Sequence, residues 1–434
     1  MGGCWKRLKS QSLSESKPLF SNIAIILAVS AFMSVILAVA TMKWWLLASL
    51  YPILFVLFTS RFLIREPVLS IQRTLDRELV LEGEDIEVKI RVHNAGSTLN
   101  LVLVSDFVPE GLELLEGNPS HLMSLKPGET REFRYRVGTK RGMWAFEKVQ
   151  VDVMDPLGLF TWKQVIPVRN YLTALPEVTW IKRVELRAIR TRPTPGHVPS
   201  KMIGEGMNFH GLREYVPGDA MRKINWKATA RHARLISNEY EAEKRADVII
   251  VVDSREVNAL GGRVNALDYS ARVAASIAHY VLQVGNRVGL ISLGGVPRWV
   301  HPDHGSKHFL RIAYALSSLR PRGKEPFDFL IRNFVNVYLT PGAQIIIVTP
   351  FLDESVAKGV KILKRSGFRV IVVSPSPISI ESQIVEGGKE VSLASKILEL
   401  ERNTLMRKMA EDAEVYDWDI KRPLKAILGG MKIG

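Results

Sequence analysis

Apolar positions follow three rhythms along this chain, and each rhythm predicts a different architecture. Residues 19–42 are almost wholly apolar, Lys43 interrupts, and residues 44–59 are apolar again before Arg61 and Arg65. A bilayer core takes about 20 apolar residues per helix, so the pattern predicts a two-helix transmembrane hairpin over residues 19–60. From Pro67 the period becomes two. Ile86-Glu87-Val88-Lys89-Ile90-Arg91-Val92 alternates, and Asn94-Ala95-Gly96, Pro109-Glu110-Gly111 and Lys126-Pro127-Gly128 separate further short apolar runs. Short strands between such turns predict an all-β sandwich of immunoglobulin-like type over residues 67–170. From Asp247 onward, β-branched runs at 247–252, 287–293, 344–348 and 368–374 alternate with helical patterns. The helices are expected at 267–284, 306–319, 327–339 and 354–366, with Ser306 as an N-cap. This alternation predicts an α/β doubly wound domain over residues 247–380, with ligands at the carboxyl ends of its strands near a topological switch point. A charged amphipathic helix is expected at 393–410, within a C-terminal helix and tail at 381–434.

Two segments join the sandwich to the α/β region. Residues 171–203 form a basic linker containing Pro193, Pro195 and Pro199. Residues 204–246 are denser in specific residue types than anything around them. Gly204, Gly206 and Gly211 loosen the backbone. Pro217-Gly218 fits the centre of a type II turn, with glycine taking positive φ. Asp219 stands where the N-cap of a short helix is expected, ahead of Arg222, Lys223, Trp226, Lys227 and Arg231. Trp226 is the expected apolar anchor of that helix. Residues 235–243 alternate like a strand.

Composition narrows the setting. A chain of 434 residues holds two or three domains, and 47% hydrophobic with 24% charged residues suits folded structure. The single cysteine, Cys4, rules out an intrachain disulfide framework and fits a reducing compartment. The formal charge is +15, and residues 181–245 carry 14 Lys+Arg against 7 Asp+Glu, nearly half of the excess. Such a surface suits an anionic membrane face, nucleic acid or an acidic partner. No helix-turn-helix, zinc-finger or RNA-binding aromatic signature accompanies it, so nucleic acid is not expected. Lys6, Arg7, Lys9 and Lys17 precede the first apolar stretch and Arg61 and Arg65 follow the second, while only Lys43 lies between them. By the positive-inside rule, residues 1–18 form a basic cytoplasmic N-terminus, and all residues beyond the hairpin are cytoplasmic too.

Catalytic chemistry is sparsely signalled. There is no Gly-x-Ser-x-Gly elbow, phosphate-binding loop or dinucleotide fingerprint. His301-Pro302-Asp303-His304, with His308 nearby, could ligate zinc or iron, but it equally suits a surface loop capping the next helix and lacks a complete ligand set. Arg213, Asp219, Arg222, Asn225, Trp226, Lys227 and Arg231 could bind phosphate or an acidic partner. Alternatively Asp219 caps its helix while Arg213 or Arg222 pairs with nearby carboxylates.

One order of residues is specific enough to suggest kinship. Gly206, Phe209, Gly211-Leu212-Arg213-Glu214-Tyr215, Pro217-Gly218-Asp219, Arg222, Ile224-Asn225-Trp226-Lys227-Ala228, Ala230-Arg231 and Glu239 resemble the domain of unknown function 58 family. Upstream, Arg141-Gly142 and Asp155-Pro156-Leu157-Gly158-Leu159-Phe160 resemble that family's preceding segment. Members often accompany MoxR-type AAA+ ATPases, and the resemblance implies a von Willebrand factor A-like domain. Such domains hold Mg²⁺ through an Asp-x-Ser-x-Ser run after the first strand. The corresponding candidate ligands here are Asp253, Ser254 and, further along, Asp353. In Asp253-Ser254-Arg255-Glu256-Val257, however, Arg255 and Val257 replace both later serines, and Thr349-Pro350 stands where the family often has Ser-Asp. Few oxygen ligands remain and Arg255 adds a positive charge, so no cofactor is expected. The resulting expectation is a membrane-anchored cytoplasmic adaptor, not an enzyme, partnered by a MoxR-type ATPase through Arg213, Arg222, Lys223, Lys227 and Arg231. In that reading Gly211, Pro217, Gly218, Asp219 and Trp226 shape the motif. The alternatives are a metal-dependent ligand-binding module, which needs Asp253 intact, and a metal-dependent hydrolase built on the His301 loop.

Overall fold

A computed structural model describes residues 18–63, 67–155, 157–180, 198–244, 247–262, 264–339, 342–382 and 389–429. Cys4, most of the basic N-terminus and most of the basic linker lie outside the described residues. The chain divides into two compact units, Met1–Ala174 and Leu175–Gly434.

In the first unit the apolar stretch does not begin as a helix. Residues Pro18–Phe20 (β1) pair antiparallel with a later strand, and Ser21 then caps α1 (Asn22–Thr41) by accepting from the Ala24 amide. At about 1.5 Å per residue the 20 residues of α1 reach roughly 30 Å, the thickness of a hydrocarbon core. Most of its apolar surface is exposed, including Ile26 and Phe32. Lys43 ends the run, Trp44–Ser49 winds as a 3₁₀ turn, and α2 (Leu50–Leu63) has only 14 residues. Among the described residues α1 alone is a single helix long and apolar enough to cross a membrane.

The remainder of this unit is strand-rich, as the period-two pattern predicts. Strands β2 (Leu69–Leu75), β4 (Asp85–Asn94), β8 (Thr130–Gly138) and β6 (Glu113–Gly117) form one antiparallel sheet. The second sheet runs β1, β10 (Phe160–Leu175), β9 (Gly142–Met154), β5 (Leu99–Asp106) and β7 (Ser120–Leu125), with β3 (Leu79–Leu81) also on β10. Inward positions of both sheets form one core that includes Ile86, Val88, Ile90, Val102, Tyr135, Phe146 and Val151. Residues 171–175, at the start of the expected linker, complete β10.

In the second unit, β11 (Val198–Glu214) and β12 (Ile236–Lys244) make a two-stranded antiparallel ribbon, and α3 (Trp226–His232) lies in the excursion between them. Then follow β13 (Asp247–Asp253), α4 (Ala266–Gln283), β14 (Arg287–Leu293), β15 (Arg298–Asp303), α5 (Ser306–Ser317), α6 (Phe327–Tyr338), β16 (Gln344–Val348), α7 (Glu354–Arg365), β17 (Arg369–Pro375), α8 (Pro377–Glu381), α9 (Lys389–Ala410), β18 (Glu414–Trp418) and α10 (Leu424–Leu428). The sheet order is β15-β14-β13-β16-β17-β18, parallel except for β15. Both faces are covered, which explains the unbroken β-branched run of β13. Val248, Ile250 and Val252 pack against a core shared with α4 and α5, and Ile249 and Val251 against one shared with α6 and α7. Ser306 is the first residue of α5 rather than its cap. Gly305 occupies the N-cap position with φ 89° and offers no side-chain bond.

Candidate functional sites

The chain leaves β13 toward β14 on one side and returns to β16 on the other, so the switch point lies between the carboxyl ends of β13 and β16. Clefts at such points are the usual ligand positions in open α/β sheets. Here the position is filled from within. Asp253, fully buried at the end of β13, accepts from Arg255 Nε at 3.0 Å and Nη2 at 2.9 Å. Thr349 Oγ1, just beyond β16, donates to the same carboxylate at 2.9 Å. Arg255 Nη1 reaches across to Asp353 Oδ2 at 2.8 Å and Ser355 Oγ at 3.2 Å. Asp353 in turn caps α7 by accepting from the Ser355 amide, and the guanidinium sits 5.5 Å from the Phe327 ring centre. The Arg255 side chain is 5% exposed, so the pair is shielded from solvent competition. Burial works against the Arg255 charge, yet its bonds to Asp253 and Asp353 hold its pKa above the ordinary arginine value. Burial likewise opposes the Asp353 charge, but Ser355 and Arg255 hold that carboxyl below its usual range.

Of the candidate ligands, Asp253 and Asp353 both meet the Arg255 guanidinium, which joins the two carboxylates, and Ser254 is buried next to Asp253 in the chain. A hard cation needs about six oxygen ligands, and the donor set offered here is already engaged. These residues do not fit Mg²⁺. Nor do the histidines assemble: His308 is buried with Nε2 2.7 Å from the Val288 carbonyl, His301 meets Trp299 edge-on and accepts from its indole N–H at 2.9 Å, and His304 is exposed beside Asp303. Among the described residues no three His, Cys, Asp or Glu side chains gather as a metal would require.

The second site is the excursion between β11 and β12. The Pro217-Gly218 turn forms as expected, with Gly218 at φ 112° and the Asp219 amide donating to the Val216 carbonyl at 3.0 Å. Asp219, however, caps no helix. Its Oδ2 accepts from the Val216 amide at 3.1 Å, and its Oδ1 from Arg213 Nη2 at 2.6 Å. Arg213 Nε also faces Glu239 of β12 at 3.1 Å. Those bonds, the one to Arg213 foremost, hold the Asp219 carboxyl below its ordinary value, and Asp219 in turn raises Arg213. The single helix expected after Asp219 is split. Met221–Lys223 is a 3₁₀ turn, Ile224 is buried in an extended conformation bridged to Ser237, and Asn225 caps α3 through the Ala228 amide at 3.0 Å. Burying Ile224 against the ribbon breaks the helix that its neighbours would otherwise continue.

Trp226 is not an internal anchor. It is 67% exposed, and Met221 is 77% exposed in the same excursion. Of the expected interaction cations, Arg222, Lys227 and Arg231 are exposed, Lys223 is half-buried, and Arg213 is held by Asp219 and Glu239. Gly211 lies extended in β11 opposite Glu239. Lys227 and Arg231 are one helical turn apart, so they share a face of α3. Upstream, the Asp155 carboxylate ties its own loop by accepting from the Leu157 and Phe160 amides.

A strand-rich unit and an α/β unit, the latter with a self-filled switch point and an exposed basic–aromatic excursion, define the class of protein. Residues 211–378 match the family model described as a protein of unknown function, DUF58, which covers the excursion and the sheet as far as β17. The chain is also similar to the uncharacterized protein YeaD of Bacillus subtilis (strain 168), at 24% identity over 341 residues, covering 76% of this chain and 81% of that one. A FixG-related protein from Vibrio parahaemolyticus aligns with 24% of this chain and 95% of its own, at 14% identity and a TM-score of 0.17. Proximal thread matrix protein 1 from the mussel byssus aligns with 36% of this chain and 46% of its own, at 15% identity and a TM-score of 0.25. Structural likeness at that level carries no argument.

Proposed function

We propose that this chain is a membrane-anchored cytoplasmic adaptor that works with a MoxR-type AAA+ ATPase in assembling or remodelling protein complexes. The observation that carries the reading is the exposed Trp226 among exposed cations on a short, well-capped helix. Tryptophan and arginine are the side chains that dominate protein interfaces, and a large aromatic left in water is costly unless a partner covers it. The exposed cations favour an acidic partner surface. The resemblance to the family supplies the ATPase as that partner. The α1 helix supplies the anchor, with the apolar 3₁₀ turn and α2 as a returning second span and the sandwich as spacer. The basic residues flanking this hairpin orient both ends to the cytoplasm.

The test is isolation of the full-length chain from native membranes followed by identification of what accompanies it. A MoxR-type ATPase should copurify, and its consistent absence, with and without nucleotide, would remove the proposed partner.

A further inference from the structure

We propose that the Arg255 guanidinium is the permanent cation of the switch-point site, doing internally the linking work of a bound metal ion and excluding a divalent cation. Three observations support it. First, the guanidinium bridges two carboxylates that the chain supplies 100 residues apart, Asp253 from the end of β13 and Asp353 from the start of α7. A divalent ion here would draw on the same two carboxylates. Arginine does so with directed N–H donors, and it cannot lose its charge near neutral pH.

Second, the donors are matched to acceptors. Nε and Nη2 engage both oxygens of Asp253, while Nη1 is shared between Asp353 and Ser355. Thr349 adds its hydroxyl to Asp253, and the Ser355 hydroxyl also receives the Phe327 amide at 2.9 Å. The guanidinium thus fastens the end of β13 to the start of α7, while Thr349 ties the loop after β16 to Asp253 and Ser355 ties the start of α6 to α7.

Third, the backbone closes over the position. Gly294 passes so near the Ser254 backbone that a Cβ there would lie 2.4 Å from the Ser254 carbonyl carbon. The Ser254 carbonyl accepts from the Arg322 backbone amide at 2.9 Å, and the Glu256 backbone amide donates to the Gly323 carbonyl at 2.9 Å. A metal ion would have to displace the Arg255 side chain to gain ligands.

The experiment uses the full-length protein in detergent micelles with Mn²⁺ as the probe, read by loss of the free-ion paramagnetic resonance signal and by thermal unfolding. Wild type should leave the signal and the melting temperature unchanged beyond a general salt effect. Arg255→Ser should melt lower, take up Mn²⁺, and recover part of its melting temperature when Mn²⁺ is added, because a ligand confined to the native state stabilises it. Adding Asp253→Asn to that variant should abolish the uptake. Two results would overturn the proposal: saturable Mn²⁺ uptake by wild type that Asp253→Asn removes, or a folded Arg255→Ser protein that takes up none. The wild-type arm stands even if the serine variant does not fold.

Discussion

Arg213 Nη2 donates to Asp219 Oδ1 at 2.6 Å, joining the end of β11 to the turn that follows it. The same guanidinium reaches Glu239 on β12, so one side chain holds both strands of the ribbon and the start of the excursion. The excursion that displays Trp226 is therefore held at its root.

This pair predicts an acid-sensitive turn. The Asp219 carboxyl is held below its ordinary value of 3.8, with Arg213 as the main cause. Its contribution is thus fully present above that pH and is lost as pH falls through the lowered pKa. Hydrogen exchange at the Val216 amide, whose N–H Asp219 accepts, should stay slower than its intrinsic rate at neutral pH and lose that protection only in strong acid. Asp219→Asn should accelerate it at all pH values while leaving α3 intact. Asn225→Ala should do the reverse, loosening α3 at a cost of about 1 kcal/mol, the usual worth of an N-cap. Equal loss of α3 in both variants would contradict the separation of roles.

A second prediction concerns the sandwich. Arg73 and Asp106 are both wholly buried and form an ion pair, and the Tyr135 hydroxyl donates to Asp106 at 2.6 Å. Burial first, and then the Asp106 carboxylate, push the Tyr135 phenol pKa up. Removing one partner strands a buried charge, so Asp106→Asn should cost about 3–5 kcal/mol in denaturant unfolding. Replacing both partners by apolar residues, as in Arg73→Met with Asp106→Leu, should cost less than the single change. A double variant as unstable as the sum of the singles would contradict this.

How far the sequence reveals these features depends on how local their causes are. The run of β13 and the alternation at 86–92 are legible because strand periodicity is a local property. The Pro217-Gly218 turn is legible because its two residues carry the required dihedrals. The role of Asp219 is not, because an N-cap and a turn lock use the same residue type, and the choice depends on Ile224 being drawn into the ribbon five residues later. The exposure of Trp226 is hidden for a similar reason: without a continuous helix there is no apolar face for it to join. The Arg255–Asp353 bridge spans 98 residues, so sequence reveals only that Arg255 opposes a metal, not what it binds. Arg73 did carry a signal. It shares the inward parity of Ile71 along β2, where a charge requires a buried partner.

Topology offers a third prediction. With both ends of the hairpin on the cytoplasmic side, a membrane-impermeant thiol reagent should label Cys4 in inverted vesicles and not in intact cells. Efficient labelling in intact, non-leaking cells would contradict the orientation and with it the cytoplasmic placement of the excursion.

The central claim is that the excursion between β11 and β12 meets an acidic partner. The most direct measurement is association of the full-length chain in nanodiscs with a purified MoxR-type ATPase across a salt series. Wild type should bind, and added salt should weaken it. Lys227→Glu with Arg231→Glu should slow association, with the largest difference at low salt, where the wild-type attraction is least screened. Trp226→Ala should instead speed dissociation, as loss of a central anchor does. Circular dichroism and Val216 exchange confirm that each variant keeps its fold. Undiminished binding by these folded variants, or no binding by wild type with and without nucleotide, would contradict the account.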